Sequence, residues 1–410
     1  MNVRCRHGAA LALLLAFLTA ACAREEAPPA RAADTAQAPA SSVASAAARR
    51  VLRPAGFPAD RPYSFGVRVG DAVYLAGQLG VDPVTGASGD GIAAQTRQAM
   101  ENIGAILAAE GLGHQHLVKC HVFLASMDDY ATMNEVYGSY FEGRVPARTT
   151  VEAAAVPGNS LVEIACIAHA DLSAISVVRP PDGTLPAPLG PYSAAVWAGD
   201  VLYLSGMGGQ DPKDRRVADD VPGQVTGTLA NIGTTLTAAG LGFGDVVATT
   251  AYVTTPDEMA GFEDAFAAPF PGRRAPAFGP VFLPRLPGPI KVELTFVAAR
   301  PGVARVQTPL VTAPEAGDIA AQVRAAFAKA RHEVEAGGLS WNDVVDVRVL
   351  LADLKDMAAM NEVYRETFSQ DPPARTTVQV TPQGDALVQI GVTAVGQGSA
   401  DGTTGRPSGR

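Results

Sequence analysis

The chain has 410 residues, of which 47% are hydrophobic and 18% are charged, so it is long enough to bury the cores of two or three domains. Its formal net charge is −9. Nucleic-acid binding needs clustered Lys and Arg side chains, so this acidic balance argues against nucleic acid as a partner.

The N-terminus has the pattern of a targeting segment. The basic stretch MNVRCRH precedes the apolar run GAALALLLAFLTAA, which predicts a secretory signal peptide over residues 1–22. The end of this run, LTAAC, resembles a bacterial lipobox with Cys22 as the lipidated residue. Thr19 stands where leucine is usual, so simple secretion is the alternative. We therefore expect an exported, periplasmic protein that touches the membrane only through a lipid on Cys22.

Two segments of biased composition flank the remaining chain. Residues 23–50 are rich in Ala, Pro and Ser and predict a flexible linker. Residues 398–410 are rich in Gly, Ser and Thr and predict a disordered tail. The folded part is expected between these two segments.

The other cysteines and the histidines show no metal-binding spacing. Cys120 and Cys166 form no CxxC motif, so they are either small buried side chains or, in an exported protein, a disulfide pair. We expect neither a metal nor a cofactor. The histidines without ligand spacing are His114, His116, His121, His169 and His332.

Three segments of about 30 residues repeat one another. They read QTRQAMENIGAILAAEGLGHQHLVKCHVFLA, QVTGTLANIGTTLTAAGLGFGDVVATTAYVT and QVRAAFAKARHEVEAGGLSWNDVVDVRVLLA. In each, apolar residues at helical spacing run to a Gly-Leu pair, where glycine suits a left-handed helix cap, and a β-branched strand pattern follows. The segments begin at Gln95, Gln224 and Gln322, and the capping glycines are Gly111, Gly240 and Gly338.

The repeats extend on both sides of these segments. PARTTVEAAAVPGNSLVEIACIA in the first copy and PARTTVQVTPQGDALVQIGVTA in the third predict a closing hairpin turning at PGNS. The first two copies also share a front hairpin, which the third lacks. The predicted units are residues 51–172, 173–300 and 301–397, each an α+β layer of one sheet and two helices.

Together the motifs GPYS, YLSG, MNEVY, PARTTVE and LVEIACIA resemble the RidA (reactive intermediate deaminase) family. The resemblance implies a chorismate-mutase-like fold and trimers with ligand clefts between subunits. It also implies hydrolysis of 2-imino or enamine acids to 2-keto acids and ammonia. Three copies in one chain then imply a monomer that acts as an intramolecular pseudo-trimer.

Arg148 and Glu163 of the first closing segment cannot both contact one small substrate. A hairpin turning at PGNS places them six registers apart, on the order of 20 Å at ~3.3 Å per residue. We therefore expect each to belong to a different half-site that a neighbouring repeat completes.

The substitutions among the repeats separate these half-sites into two sets. The second repeat keeps Tyr192, Ser205 and Glu293 but has Phe278 at the arginine position. The third keeps Asn361, Arg375 and Thr377 but has Gln389 at the glutamate position. The first carries both sets, namely Asn134, Arg148, Thr150, Tyr63 and Glu163, with Ala76 at the serine position.

If the losses meet at one junction, two usable junctions remain. In the first, Arg148 faces Glu293, Tyr192 and Ser205; in the second, Arg375 faces Glu163 and Tyr63. The opposite ring direction pairs Arg375 with Glu293 and leaves Arg148 facing Gln389. We predict the first arrangement, and in both of them Glu293 meets an arginine.

This arrangement suggests a role for each residue. Arg148 suits a substrate carboxylate because its planar fork binds two oxygens. Glu293 is expected to move a proton and position water, with a pKa raised by burial. Thr150 and Ser205 are expected to hydrogen-bond that water or the carboxylate, and Tyr192 to form a wall. The expected substrate-binding set also contains Tyr63, Glu163, Arg375 and Thr377, with Asn134 and Asn361 as either site residues or helix caps.

Three functions fit these residues. The first is a deaminase acting on small 2-imino acids. The second is a non-catalytic binder of small carboxylates or a chaperone-like scaffold. The substitutions at the third junction favour this function. The third is a ribonuclease, which the acidic charge disfavours.

Overall fold

The structure is a computed structural model that describes residues 48–271 and 279–396. All of these residues belong to one compact unit. The predicted signal peptide with Cys22, residues 23–47 of the predicted linker, Phe278 and the predicted tail lie outside the described residues.

The first repeat forms a seven-stranded sheet covered by two helices. Its elements are β1 (Arg50–Leu52), β2 (Gly66–Val69), β3 (Ala72–Leu75), β4 (Gln78–Leu79), α1 (Gly91–Ala108), β5 (Leu117–Leu124), α2 (Tyr130–Gly138), β6 (Ala147–Glu152) and β7 (Val162–His169). The strand order is β1-β2-β3-β7-β5-β6, and β4 also pairs with β7. Apolar side chains of both helices pack with those of the sheet in one buried cluster.

The second repeat forms a six-stranded sheet of the same design. Its elements are β8 (Ile175–Val178), β9 (Ala195–Ala198), β10 (Val201–Leu204), α3 (Val221–Ala238), β11 (Val246–Val253), α4 (Phe262–Ala267), β12 (Pro280–Phe282) and β13 (Val292–Ala299). The strand order is β12-β11-β13-β10-β9-β8. The side chain of Asp220 caps α3 by accepting from the N–H of Gly223.

The third repeat forms a four-stranded sheet in the described residues. Its elements are β14 (Arg305–Gln307), α5 (Ile319–Ala336), β15 (Val344–Leu351), α6 (Met357–Thr367), β16 (Ala374–Gln379) and β17 (Val388–Val395). The strand order is β14-β17-β15-β16. Here a single strand, β14, pairs with β17. The first two repeats have a hairpin at this place: β2–β3 pairs with β7 through β3, and β9–β10 pairs with β13 through β10.

The predicted closing hairpin is wrong, because another strand lies between its two strands. Strand β5 pairs in parallel with β6 and antiparallel with β7, so β6 and β7 are not neighbours. A parallel pair needs a crossover connection, which α2 provides between β5 and β6. In register, Arg148 lies opposite Cys120 and Glu163 opposite Phe123. Arg148 and Glu163 are therefore roughly 14 Å apart in one sheet, still too far to share a small substrate.

The helix ends follow the sequence pattern. Each long helix stops just before a glycine with a positive φ, of 70° at Gly111, 74° at Gly240 and 81° at Gly338. This left-handed conformation carries a steric penalty for residues with a Cβ atom. The predicted glycine caps are confirmed. None of the helices in the described ranges is long and apolar enough to cross a bilayer.

A buried apolar cluster draws on all three repeats. It includes Phe123, Tyr252 and Leu350, which occupy the same position in β5, β11 and β15. Residues next to it also pair across repeats, as in the backbone bridges Glu152–Arg285 and Ala155–Gln379. The repeats therefore share a core in addition to having one core each.

The two cysteines left open by the sequence form a disulfide. Cys120 of β5 and Cys166 of β7 are direct cross-strand partners and are joined through their sulfurs. Both are buried within the first repeat. The bond closes a loop with a sequence separation of 46 residues, which restricts the unfolded chain.

Reduction of this disulfide is expected to lower the free energy of unfolding by about 2–4 kcal/mol, because the reduced chain gains conformational entropy when it unfolds. Urea unfolding with and without a thiol reductant measures the effect. The double variant C120A/C166A is the control and should respond to urea identically in both buffers. Equal midpoints for the native chain in both buffers would contradict the bond.

Candidate active site

The edge of the first sheet meets the second repeat at Arg148. Strand β6 is an edge strand, and the backbone carbonyl of Arg148 accepts from the N–H of Gly206 at 2.9 Å. The Arg148 N–H donates to Oγ of Ser205 at 2.8 Å, and Oγ of Ser205 donates to the carbonyl of Ser193 at 2.6 Å. The segment after β10 therefore holds the arginine strand in place across the junction.

The guanidinium of Arg148 is almost completely buried, with 2% of the residue exposed. One terminal nitrogen, Nη2, donates to Oδ1 of Asn134 at 2.6 Å. The rings of Tyr130, Tyr137 and Tyr192 lie 5.7, 4.8 and 5.5 Å from the guanidinium carbon, within cation–π range. The other terminal nitrogen, Nη1, is buried and has no hydrogen-bond partner among the described residues.

Glu293 on β13 approaches the same junction from the second repeat. Its side chain lies so close to Gly206 that a Cβ atom there would stand 1.8 Å from Oε1 of Glu293. The glycine of the YLSG motif is therefore required to admit the carboxyl group. Only 5% of Glu293 is exposed.

Arg148 and Glu293 line one cavity of about 510 Å³. Thr150, Tyr192 and Ser205 line it too. Oγ1 of Thr150 is buried without a hydrogen-bond partner in the described part of the chain. The hydroxyl proton of Ser205 is already used on Ser193, so Ser205 fixes the arginine strand and can offer a ligand only a lone pair.

Burial raises the pKa of Glu293 to about 8, against the opposing charges of Lys119 and Arg148. A carboxyl with this pKa exchanges its proton near neutral pH, which is the property of a general acid or base.

Lys119 was not singled out from the sequence, although it is the one charged side chain besides a histidine in a largely apolar strand. Its ammonium group is buried and donates to Oγ1 of Thr149 at 2.7 Å, the carbonyl of Leu204 at 2.7 Å and Oγ1 of Thr295 at 3.0 Å. These acceptors belong to both repeats and use its three protons. Burial lowers the pKa of Lys119 to about 7, against the charge of Glu293. Lys119 thus joins the repeats directly behind the site.

A second set of residues with the same plan, which we call the second cleft, lies between the third and first repeats. Nη1 of Arg375 donates to Oδ1 of Asn361 at 2.7 Å, and the rings of Tyr63 and Tyr364 lie 4.7 and 4.9 Å from its guanidinium carbon. The carbonyl of Arg375 accepts from the N–H of Gly77 at 3.0 Å, as the carbonyl of Arg148 does from Gly206.

The glutamate of this second cleft is Glu163. Its Oε1 accepts from the N–H of Thr377 at 3.3 Å, and its Oε2 has no partner among the described residues, like Oγ1 of Thr377. Burial raises the pKa of Glu163 to about 8, opposed by the Thr377 N–H and by Arg375. Asp346 occupies the register position that Lys119 has in the first cleft.

At the third junction the glutamate position holds Gln389. Its Nε2 donates to Oε1 of Gln383 at 2.7 Å. An amide binds through hydrogen bonds but does not exchange a proton near neutral pH. The arginine-position residue of this junction, Phe278, lies outside the described residues.

The structure places most residues predicted for the first cleft around one cavity. Arg148 and Glu293 both line it, and Asn134 contacts Arg148 rather than serving only as a helix residue. The tyrosines 130 and 137, which stack on the arginine, were missed. Their signal was the seven-residue spacing in YATMNEVY, which places both on one face of α2.

Among the described residues, no group of three or more His, Cys, Asp or Glu side chains is placed to hold a metal ion. The site contains instead a caged guanidinium and a buried carboxyl at a junction of α+β repeats. This geometry defines a class of α+β repeat proteins with a charged, buried cavity where two repeats meet.

A family model described as endoribonuclease L-PSP matches the chain three times, over residues 55–170, 183–300 and 307–396. These matches cover most of the chain, which therefore belongs to this family, the RidA family. The predicted family is confirmed.

Known relatives each match about the length of one repeat. DfrA of Myxococcus xanthus is 47% identical over 110 residues, 26% of this chain and 84% of that protein. The 2-iminobutanoate/2-iminopropanoate deaminase of Mus musculus is 44% identical over 108 residues, 26% of this chain and 80% of that protein. The solved structure of RidA from the Antarctic bacterium Psychrobacter sp. PAMC 21119 is 39% identical, covers 29% of this chain and 98% of its own, and has a TM-score of 0.28.

The buried glutamates predict how stability depends on pH. The folded pKa of Glu293, about 8, lies above the ordinary value of 4.5, so the folded state keeps a proton that the unfolded state releases between these values. Stability is therefore lost as pH rises through this window. Glu293→Gln should reduce the fall in the free energy of unfolding by up to about 1.4 kcal/mol per pH unit. Urea unfolding at about pH 5 and about pH 7 measures this difference. An equal loss of unfolding free energy between the two pH values in the unmodified chain and in the variant would contradict it.

Proposed function

We propose that the chain hydrolyses 2-imino acids to 2-keto acids and ammonia in the cleft between Arg148 and Glu293. The observation that carries this proposal is a buried guanidinium nitrogen without a partner among the described residues, on an arginine that lines the same cavity as a buried carboxyl whose pKa is about 8. The deaminase name of the mouse relative supports the same reaction.

Arg148 holds the substrate carboxylate. Its Nη1 has no protein partner among the described residues, whereas its Nη2 is fixed by Asn134. A carboxylate oxygen on Nη1 would satisfy this donor and neutralise the buried charge. The three tyrosine rings keep the guanidinium plane in one orientation, so that C2 of the substrate is directed toward Glu293.

Glu293 transfers the protons of the reaction. Its protonated form donates to the imine nitrogen, and a water oxygen then bonds to C2 while the carboxylate accepts a proton from that water. Glu293 then gives this proton to the nitrogen, so the C2–N bond breaks and ammonia leaves, while the C2 hydroxyl proton returns to the Glu293 carboxylate as the C2=O bond of the keto acid forms. Thr150, whose hydroxyl has no partner in the described part of the chain, orients the water, and Ser205 positions Arg148.

We further propose that the three repeats form an intramolecular pseudo-trimer whose third unit has lost its front hairpin. The shared apolar cluster and the matching backbone bonds at Arg148 and Arg375 support this arrangement. The Arg375–Glu163 cleft then acts as a second, weaker site. The third junction does not turn over the substrate, because Gln389 does not titrate and Phe278 stands at the arginine position.

We also propose that the chain is exported, with Cys22 as its lipid anchor. The Cys120–Cys166 disulfide supports export, because such bonds persist in oxidising compartments such as the periplasm. The expected partners are small 2-imino and 2-keto acids.

The reaction is tested by generating 2-iminobutanoate in situ and following ammonia and 2-ketobutanoate. We expect the chain to accelerate loss of the imine over the spontaneous reaction. Calorimetry with 2-ketobutanoate serves as the second measurement. Tight binding of the keto acid without any acceleration would refute the deaminase and select the non-catalytic binder.

A further inference from the structure

The first cleft is much larger than a four-carbon substrate. A molecule of seven non-hydrogen atoms, such as 2-iminobutanoate, occupies on the order of 100–150 Å³ at ordinary packing density. The cavity holds about 510 Å³, which falls in the range of sites for much larger ligands. Most of the cavity therefore lies beyond Arg148 and Glu293.

Besides the reacting groups and polar side chains such as Asp182 and Gln210, the cavity is lined largely by apolar side chains. They come from residues 180–189, which we call the proline-rich strap, from the turn before β13 and from the segment after β10. The principal ones are Leu185, Pro186, Leu189, Met207, Pro287 and Ile290. An apolar ligand group would remove this surface from water.

The proline-rich strap is held in place at two points next to the cavity. Nη1 of Arg215 donates to the carbonyl of Ala187 at 3.2 Å, and the N–H of Leu189 donates to the hydroxyl of Tyr192 at 3.1 Å. Four of its ten residues are proline, which restricts the backbone before any ligand binds. The strap is therefore a preformed wall.

Leu189 is an exposed leucine of the strap that lines the cavity. It is 38% exposed, one of the few large apolar side chains exposed in the described residues. Across from it, the turn before β13 approaches so closely that a Cβ on Gly288 would stand 3.6 Å from Cδ1 of Leu189. Ile290 of the same turn lines the cavity three residues before Glu293.

We propose that this cleft is specific for 2-imino acids with a bulky apolar side chain, branched aliphatic or aromatic, rather than for four-carbon ones. The proposal rests on the proposed function for the reacting end only. The carboxylate binds Arg148, C2 faces Glu293, and the side chain lies against the apolar lining that includes Leu189 and Ile290. Each additional buried methylene then improves binding about three- to fourfold.

The substrate preference is measured with imines that an amino-acid oxidase generates from leucine, phenylalanine and 2-aminobutanoate. We expect kcat/KM for the leucine-derived imine to exceed that for 2-iminobutanoate by about tenfold, since it adds two carbons. A preference for the four-carbon imine, or none, overturns the proposal.

A binding measurement separates this proposal from the proposed reaction. Calorimetry compares 4-methyl-2-ketopentanoate with 2-ketobutanoate on the intact chain, and we expect about tenfold tighter binding of the larger acid. If no imine is hydrolysed but this difference is found, the reaction fails and the side-chain pocket stands. Equal affinities reject the pocket whatever the turnover.

The variant Leu189→Trp tests the position of the pocket. A larger ring there fills the space opposite Ile290 and should lower the large-to-small ratio of keto-acid affinities about tenfold. Leu172→Trp is the matched control, because Leu172 is also an exposed leucine, at 48%, and does not line the cavity. The proposal fails if both variants keep the ratio of the unmodified chain.

Discussion

Replacing Glu293 with glutamine is expected to lower the rate of imine hydrolysis by about 100-fold or more, which is the usual contribution of a general acid or base. Glutamine keeps the size of the side chain and its place beside Gly206 but cannot exchange a proton near neutral pH. The measurement is kcat for 2-iminobutanoate in a chain that already carries Glu163→Gln, so that the second cleft contributes no turnover.

The single variants separate the two clefts. Glu163 and Glu293 are both buried, and burial raises the pKa of each to about 8. E163Q is therefore the matched substitution, and its loss of rate measures how much the second cleft contributes to turnover. Calorimetry with 2-ketobutanoate checks that E293Q still folds and binds. An unchanged rate in the doubly substituted chain would remove both glutamates from the reaction.

Replacing Arg148 with lysine is expected to weaken binding of 2-ketobutanoate to the first cleft by about 10- to 100-fold. Lysine keeps the charge, but it loses the planar fork that donates to Asn134 and to the ligand together and packs between the tyrosine rings. The loss should appear mainly in KM, because the same contact is made in the bound substrate and in the transition state.

Arg375→Lys is the control for this substitution. It makes the same change in a guanidinium that is likewise caged by tyrosine rings, but at the other cleft. Two-site calorimetry should lose the tighter site in R148K and keep it in R375K. The opposite result would make Arg375 and Glu163 the principal cleft.

The helices and central strands were predictable because their signals are local. The spacing of apolar residues predicted the helices α1, α3 and α5, and the glycines that follow predicted where these helices end. The closing hairpin was wrong because adjacent strands were assumed to pair, whereas β5 inserts between β6 and β7. That pairing depends on the crossover helix and the buried faces of the sheet, which no short segment of the sequence encodes.

The candidate site was predictable only through comparison of the repeats. The losses at the positions of Arg148 and Glu293 separated two half-sites, and the structure brings those two residues into one cavity. Lys119 was missed because it has no counterpart in the other repeats, where Ala248 and Asp346 stand. Its role depends on acceptors from two repeats, which meet only in the folded chain.

The most direct measurement is a crystal structure of the chain with 2-ketobutanoate. We predict the ligand carboxylate within roughly 2.7–3.2 Å of Nη1 of Arg148, with C2 facing the carboxyl group of Glu293. A ligand bound elsewhere, or an Arg148 guanidinium that faces Gln389 instead of Glu293, would contradict a site shared by the first two repeats.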